Sequence, residues 1–348
     1  MLSRGRRERV IVDTGKALGE RGTGMDTRFP DAGTIRTALT LASRAPSVHN
    51  TQPWRWRVDA TSLQLYADPG RQLPNTDPDG RDLILSCGTA LHHCVAAFAA
   101  VGWRSRVSRL PNADDPTHLA TIELSPHVAD YVDIALAAAI PRRRTDRRHY
   151  SSWPVPMGDI ALMAARAART GVTLCQVEDI DRLHDIVAES VRDHLTQDYL
   201  AELTAWSGRY FSVAGVPAHN APISDPDAKI PSRLFAGAVL PMAPDSSSAD
   251  DNAVVLALGT RHDDRLAQLR AGEATSVALL TATSTGLASC PVTEPLEMAA
   301  TREAVRSDIF GDNNYPQMLL RVGWAPINAD PLPATPRRDL GDFVEWAN

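Results

Sequence analysis

The sequence predicts an α+β fold built on a duplicated unit, and three observations carry that prediction. Helical and strand-like periodicities follow one another along the chain. Gly88 opens a helical stretch that closes at Gly102-Trp103, and Gly272 opens one that closes at Gly286-Leu287, fourteen positions in each case. A shorter helical pattern precedes each stretch, at 35–44 and 160–169, and a connector and a strand follow it.

Taken in order, a helix over residues 31–44 is stopped by Pro46. Residues 54–58 and 62–66 alternate apolar and polar side chains and read as a hairpin. A long apolar helix over 80–101, strands at 104–107 and 118–124 and a helix over 129–139 complete a first half, residues 26–138. The second half, 139–348, opens on an arginine-rich run and continues with helices at 159–168 and 180–206. Between 215 and 251 the composition turns to Pro, Ser, Asp and Gly, a loop longer than compact domains normally carry, which reads as a lid. A strand at 254–258, a helix over 263–284, an irregular stretch at 291–295, a helix over 297–307 and a strand at 318–322 finish the body. Residues 1–25 read as a flexible extension, because the apolar run Val10 to Val12 ends at Asp13, too soon for a secretory signal.

Composition narrows the function. A net charge of -6 with 22% charged residues describes an ordinary soluble surface, not the basic excess of a nucleic-acid binder. Among the 36 Lys+Arg residues only Lys16 and Lys229 are lysines, so an anion site must use arginine forks or backbone N–H groups. Cys87, Cys94, Cys175 and Cys290 form no CxxC pair and read as reduced thiols of a cytoplasmic protein. His92 and His93 or charged residues interrupt the longest apolar stretches, so a membrane is not an expected partner.

Two segments concentrate the chemistry. Residues 142–148 hold five arginines around Thr145, planar forks beside a hydroxyl, as a phosphate dianion requires. In Ala45-Pro46-Ser47-Val48-His49-Asn50-Thr51-Gln52-Pro53-Trp54, two prolines fix the backbone and two amides can donate and accept, as recognition of a uracil-like ring edge would require.

This second segment resembles the Ala-Pro-Ser-x-x-Asn-x-Gln-Pro-Trp signature of the FMN-dependent nitroreductase family. Arg143-x-Thr145-x-Arg147 is similar to that family's phosphate motif, 286–294 to its loop against the flavin ring, and 319–324 with Pro336-Arg337-Arg338 to its last strand and basic tail. The resemblance spans residues 26–340 and is nearest to the Acg-type branch of mycobacterial nitroreductase-like proteins. It implies a nitroreductase-like fold whose two diverged halves, fused in one chain, imitate the family's dimer, so that a monomer suffices. The phosphate motif opens the second half while the Pro-Ser-x-x-Asn segment lies in the first, which implies one FMN site completed by both. Carried over by position, Arg143, Arg144, Thr145 and Arg147 serve the phosphate, ribityl chain or ring N1 edge. Arg337 and Arg338 close the phosphate site, Pro46, Ser47, Asn50 and Gln52 touch the flavin, and Thr293 and Glu294 offer backbone groups near N5. The implied activity is an NAD(P)H-dependent oxidoreductase that passes hydride from NADH or NADPH through flavin N5 to a nitroaromatic or quinone-type acceptor. The alternative is a protein that stores or sequesters FMN, with the 215–251 loop covering the flavin. No side chain is expected to act as a catalytic acid or nucleophile.

Other signals favour plainer readings. His92 and His93, adjacent on a helix, are expected to point to different faces and to hold no metal. Gly15, Gly19 and Gly22 lack the strand and acidic residue of a dinucleotide fingerprint. Trp206, Tyr210 and Phe211 read as packing residues beside the long loop.

Overall fold

Asp31 starts the first helix, its carboxylate accepting from the Thr34 N–H at 2.9 Å. In the computed structural model, residues 29–208, 212–225, 227–243, 247–326 and 328–347 are described. The extension at 1–25 and the pair Tyr210 and Phe211 lie outside them.

The first unit contains α1 (Ala32–Ala42), β1 (Trp54–Val58), β2 (Ser62–Ala67), α2 (Arg81–Ala100), β3 (Trp103–Arg109), β4 (His118–Pro126) and α3 (Tyr131–Ala139). The second contains α4 (Met157–Ala168), β5 (Thr173–Gln176), α5 (Ile180–Asp193), α6 (Gln197–Ala205), β6 (Val254–Thr260), α7 (Arg265–Ser284), β7 (Ala288–Val292), α8 (Glu294–Glu297), α9 (Ala299–Phe310) and β8 (Tyr315–Gly323). A last short strand, β9 (Val344–Trp346), ends the chain's regular structure.

The strands form two antiparallel sheets of one topology. The order is β3-β4-β2-β1 in the first and β7-β8-β6-β5 in the second, with β9 added parallel to β1 on the first sheet. Even the irregularities correspond, because the register slips between Leu65 and Tyr66 on β2 and between Leu258 and Gly259 on β6. Gly102 and Gly286, just beyond α2 and α7, take φ of 89° and 90°, the left-handed conformation that ends a helix without a Cβ clash.

The two central helices cross at their glycines. A Cβ on Gly88 would lie 2.2 Å from the Leu269 carbonyl oxygen, and one on Gly272 would lie 2.1 Å from that of Leu85. Each helix therefore enters the other unit's core: Leu269, Val277 and Leu280 of α7 pack with the first-unit cluster, and Leu85 of α2 packs with the second. α2 is long and apolar enough to cross a membrane by length and composition, but most of it is buried within the protein.

Four expectations need correction. His92 and His93 do not diverge: both Nδ1 atoms reach Ser276 Oγ on α7, at 2.7 and 2.8 Å, because the close crossing brings one hydroxyl between them. The single helix over 180–206 is two, since Thr196 is extended at ψ 153° and its side chain accepts from the Tyr199 N–H, starting α6 afresh. The stretch at 291–295 is not irregular throughout, because β7 runs to Val292 and Pro295 sits in the first turn of α8, where its missing N–H costs nothing. Finally, the short strands β5 and β9 have no counterpart in the sequence reading.

Candidate functional site

The segment after α1 is strained. His49, Asn50 and Gln52 have φ of 43°, 55° and 52°, three left-handed non-glycine residues within four positions. Hydrogen bonds near and far hold them there. Ser47 Oγ accepts from the Gln52 N–H at 3.0 Å, and the Val48 N–H donates to Ser86 Oγ on α2 at 3.1 Å. The result presents Pro46, Ser47 and His49 to a cavity of about 120 Å³ between the two units.

Apolar walls come from Val48 and Leu85 of the first unit and from Val292 and Met318 of the second. Thr145, Arg147, Thr293 and Glu294 also line the cavity. Arg147 is half-buried, donates to the Asn220 carbonyl at 3.1 Å and stands 4.7 Å over the Phe235 ring. The loop between 215 and 251 contributes Ile230, Pro231, Ser232, Arg233 and Phe235 to the lining.

Beside this chamber lies a cluster of positive charge. Arg143 is buried, reaches Thr145 Oγ1 at 3.4 Å and leaves its Nε without a partner among the described residues. Burial first, then Arg144, Arg44 and Arg147, push its pKa down to about 10. Arg337 falls to about 9 through burial and then through Arg143, Arg44 and Arg144. Only other arginines act on these two among the described residues. Arg148, in the same run, is different: Asp146 holds it with two bonds of 2.9 and 2.8 Å.

The remaining predicted residues lie in the scaffold around the cavity rather than on its wall. Asn50 donates to the Gly215 and Pro336 carbonyls and accepts from Arg337 Nη1 at 3.0 Å. Gln52 donates to the Val213 carbonyl and accepts from the Arg338 N–H. Their amides therefore tie the start of the 215–251 loop and the C-terminal tail to the strained segment, where direct flavin contact was expected. Arg337 spends Nε and Nη2 on the Ser43 and Arg44 carbonyls, at the negative end of α1. Arg144 donates to the Leu332, Pro141 and Arg143 carbonyls.

Sequence reasoning missed Arg233, in the loop between 215 and 251, whose side chain joins four residues. Its Nη1 donates to His49 Nε2 at 2.7 Å and to Tyr199 Oη at 2.9 Å. Its Nη2 reaches Thr293 Oγ1 at 3.2 Å and Glu297 Oε1 at 2.5 Å. Burial opposes the charge, but Glu297 and Glu294 outweigh it and raise the pKa further. Because a guanidinium donates only, His49 Nε2 must accept, which leaves the proton on Nδ1. That buried Nδ1 has no partner among the described residues. Burial, then Arg233 and Arg147, hold the ring neutral. A lone arginine in a polar loop carries no sequence signal of this kind.

No family model matches the chain. A Mycobacterium tuberculosis H37Rv protein that carries an NAD(P)H nitroreductase name, Rv3131, is 67% identical over 329 residues, covering 94% of this chain and 96% of its own. The acg protein of that strain, likewise named as an NAD(P)H nitroreductase, is 37% identical over 328 residues, covering 88% and 94%. Among solved structures, the FMN-dependent nitroreductase NfnB from Mycobacterium smegmatis in complex with NADPH aligns at a TM-score of 0.39 and 17% identity, covering 62% of this chain and 100% of that one.

Proposed function

The chain belongs to the nitroreductase family, in its Acg-type branch, and from that premise we propose that it holds one FMN between its two units and passes hydride from NADH or NADPH to a nitroaromatic or quinone-type acceptor. The observation that carries the reading is Arg143, buried beside the cavity with its Nε unpartnered among the described residues, next to the half-buried Arg337, where the only charges that shift either are other arginines. A buried guanidinium without a carboxylate destabilises a protein unless an anion completes it. A phosphate dianion suits the donor set, since charge-assisted bonds to guanidinium are strong and geometrically specific.

The chain's own residues then divide the work. Arg143, with Arg144, Thr145 and the tail Arg337 and Arg338, holds the phosphate end. Pro46, Ser47, Val48 and Leu85 on one side and Thr293, Glu294 and Met318 on the other enclose the ring. The neutral His49 offers its Nδ1–H to a ring or acceptor oxygen. Arg147 places positive charge where reduction adds a negative one. FMN, when bound, supplies the two-electron chemistry at N5. The loop closed by Arg233 excludes water from the transfer. With both units in one chain, a monomer contains the whole site.

Anaerobic mixing of the flavin-loaded protein with NADPH tests the proposal: the flavin absorbance should bleach within the mixing experiment and return on adding a quinone. A purified protein that is colourless and refuses added FMN overturns it. The pinning of the covering loop through Arg233 favours a second reading, storage or sequestration of FMN, in which the flavin binds but NADPH leaves it oxidised.

A further inference from the structure

Reduction of a quinone or nitro oxygen needs a proton as well as a hydride, and the side chains on the cavity wall are its nearest protein sources. Among the acid and thiol groups on the wall, Cys290 is pushed up by burial, beyond use as a donor at neutral pH. Burial raises the Glu294 carboxyl as well, against the pull of Arg233, but Glu294 already accepts a hydrogen bond from Tyr199 Oη at 3.5 Å.

Asp82 differs from both. It lies in the first turn of α2, is 3% exposed and lines the cavity. Neither of its carboxyl oxygens receives a hydrogen bond from a described residue. Arg81 Nη2 stands 2.5 Å from Oδ1 but off the hydrogen-bond line, while Arg81 Nη1 donates to the Gln317 carbonyl. Beyond Arg81, the charges facing Asp82 are Asp77, Glu297 and Arg233. A buried carboxyl without donors is disfavoured as an anion. Burial, opposed by Arg81 and aided by Asp77 and Glu297, raises its pKa to about 7.

We infer that Asp82 is the proton donor of the acceptor half-reaction, an inference that rests on the flavin reading above. Hydride passes from the reduced cofactor to a quinone, the O–H bond of Asp82 breaks, and its proton goes to the quinone oxygen, giving the hydroquinone. NADH or NADPH supplies the two electrons. The Asp82 carboxylate recovers its proton from water when product leaves.

The test uses full-length, FMN-loaded protein, reduced in advance and mixed anaerobically with a benzoquinone or with ferricyanide, which takes an electron and no proton. The ratio of the two reoxidation rates should fall in the parent as pH rises through about 7, the range in which Asp82 loses its proton. Asp82→Asn should lower that ratio by roughly a hundredfold at neutral pH and flatten its pH dependence, with Asp82→Glu restoring part of both. A second readout needs no turnover: the infrared band of a protonated carboxyl should disappear near pH 7 in the cofactor-free parent and be missing from D82N. A D82N ratio that follows the parent across pH overturns the inference and leaves the flavin reading intact. Protein that binds no FMN overturns that reading and the inference with it. If D82N fails to fold, the parent decides, because a ratio that is flat through pH 7 overturns the assignment.

Discussion

Gly88 and Gly272 meet where α2 crosses α7, so closely that a Cβ on Gly88 would lie 2.9 Å from Gly272 Cα and one on Gly272 would lie 2.8 Å from Gly88 Cα. The equivalent points of the two units are thus in mutual contact, as in a two-fold interface. Both clashes are with backbone, which cannot swing aside, so Gly88→Ala or Gly272→Ala should destabilise the fold by about 3 kcal/mol, the upper part of the usual overpacking range. Chemical denaturation of the two variants measures this, and midpoints equal to the parent's would mean that the helices separate without cost.

Arg143 should act in opposite directions on the empty and the loaded protein. Its folded pKa, about 10, lies below arginine's ordinary value, so at neutral pH its charge opposes folding, and the penalty fades as pH rises above 10. Arg143→Met should therefore raise the stability of the cofactor-free protein by about 1–3 kcal/mol and abolish most of the stabilisation that added FMN provides. Thermal melts with and without FMN check both signs.

Arg233→Met removes the main tie of the 215–251 loop and leaves Glu297 buried without its ion pair. The expected results are a loss of about 3 kcal/mol of stability and a several-fold faster reduction of bound flavin by a small chemical reductant. An unchanged reduction rate would show that the loop does not limit access.

His92 makes a pH prediction. Burial, with Arg166, lowers its pKa from 6.5 to about 4. Between these values the unfolded chain takes up a proton that the folded chain refuses. The stability from this site is complete above about 6.5, is lost as pH falls towards 4 and changes no further below that. His92→Gln should make the acid limb of the stability profile shallower, and denaturation midpoints between pH 7 and 4 read the difference.

The glycine pair and the Pro46 to Gln52 segment were legible because both are local: matched spacing marks one, and amides between prolines mark the other. Their partners were not. Asn50 and Gln52 look like ligand-binding amides in sequence, yet they bind the Gly215 and Val213 carbonyls and the tail arginines, since the left-handed backbone at His49, Asn50 and Gln52 needs ties from distant segments. Arg233 and Asp82 carry no local pattern, and only burial and long-range pairing give them roles. The short strand β9 joins β1 from the far end of the chain, a pairing that three residues of alternation cannot announce.

One FMN per chain, its phosphate held by the second unit's arginines and its ring enclosed by both units, is what titration of the cofactor-free protein with FMN, followed by flavin fluorescence, would read. A single site per chain is expected, with an affinity weakened about ten- to a hundredfold by Arg143→Ala, since a charged hydrogen bond contributes about 1.5 to 3 kcal/mol. Two sites per chain, or an Arg143→Ala variant that binds like the parent, would contradict it.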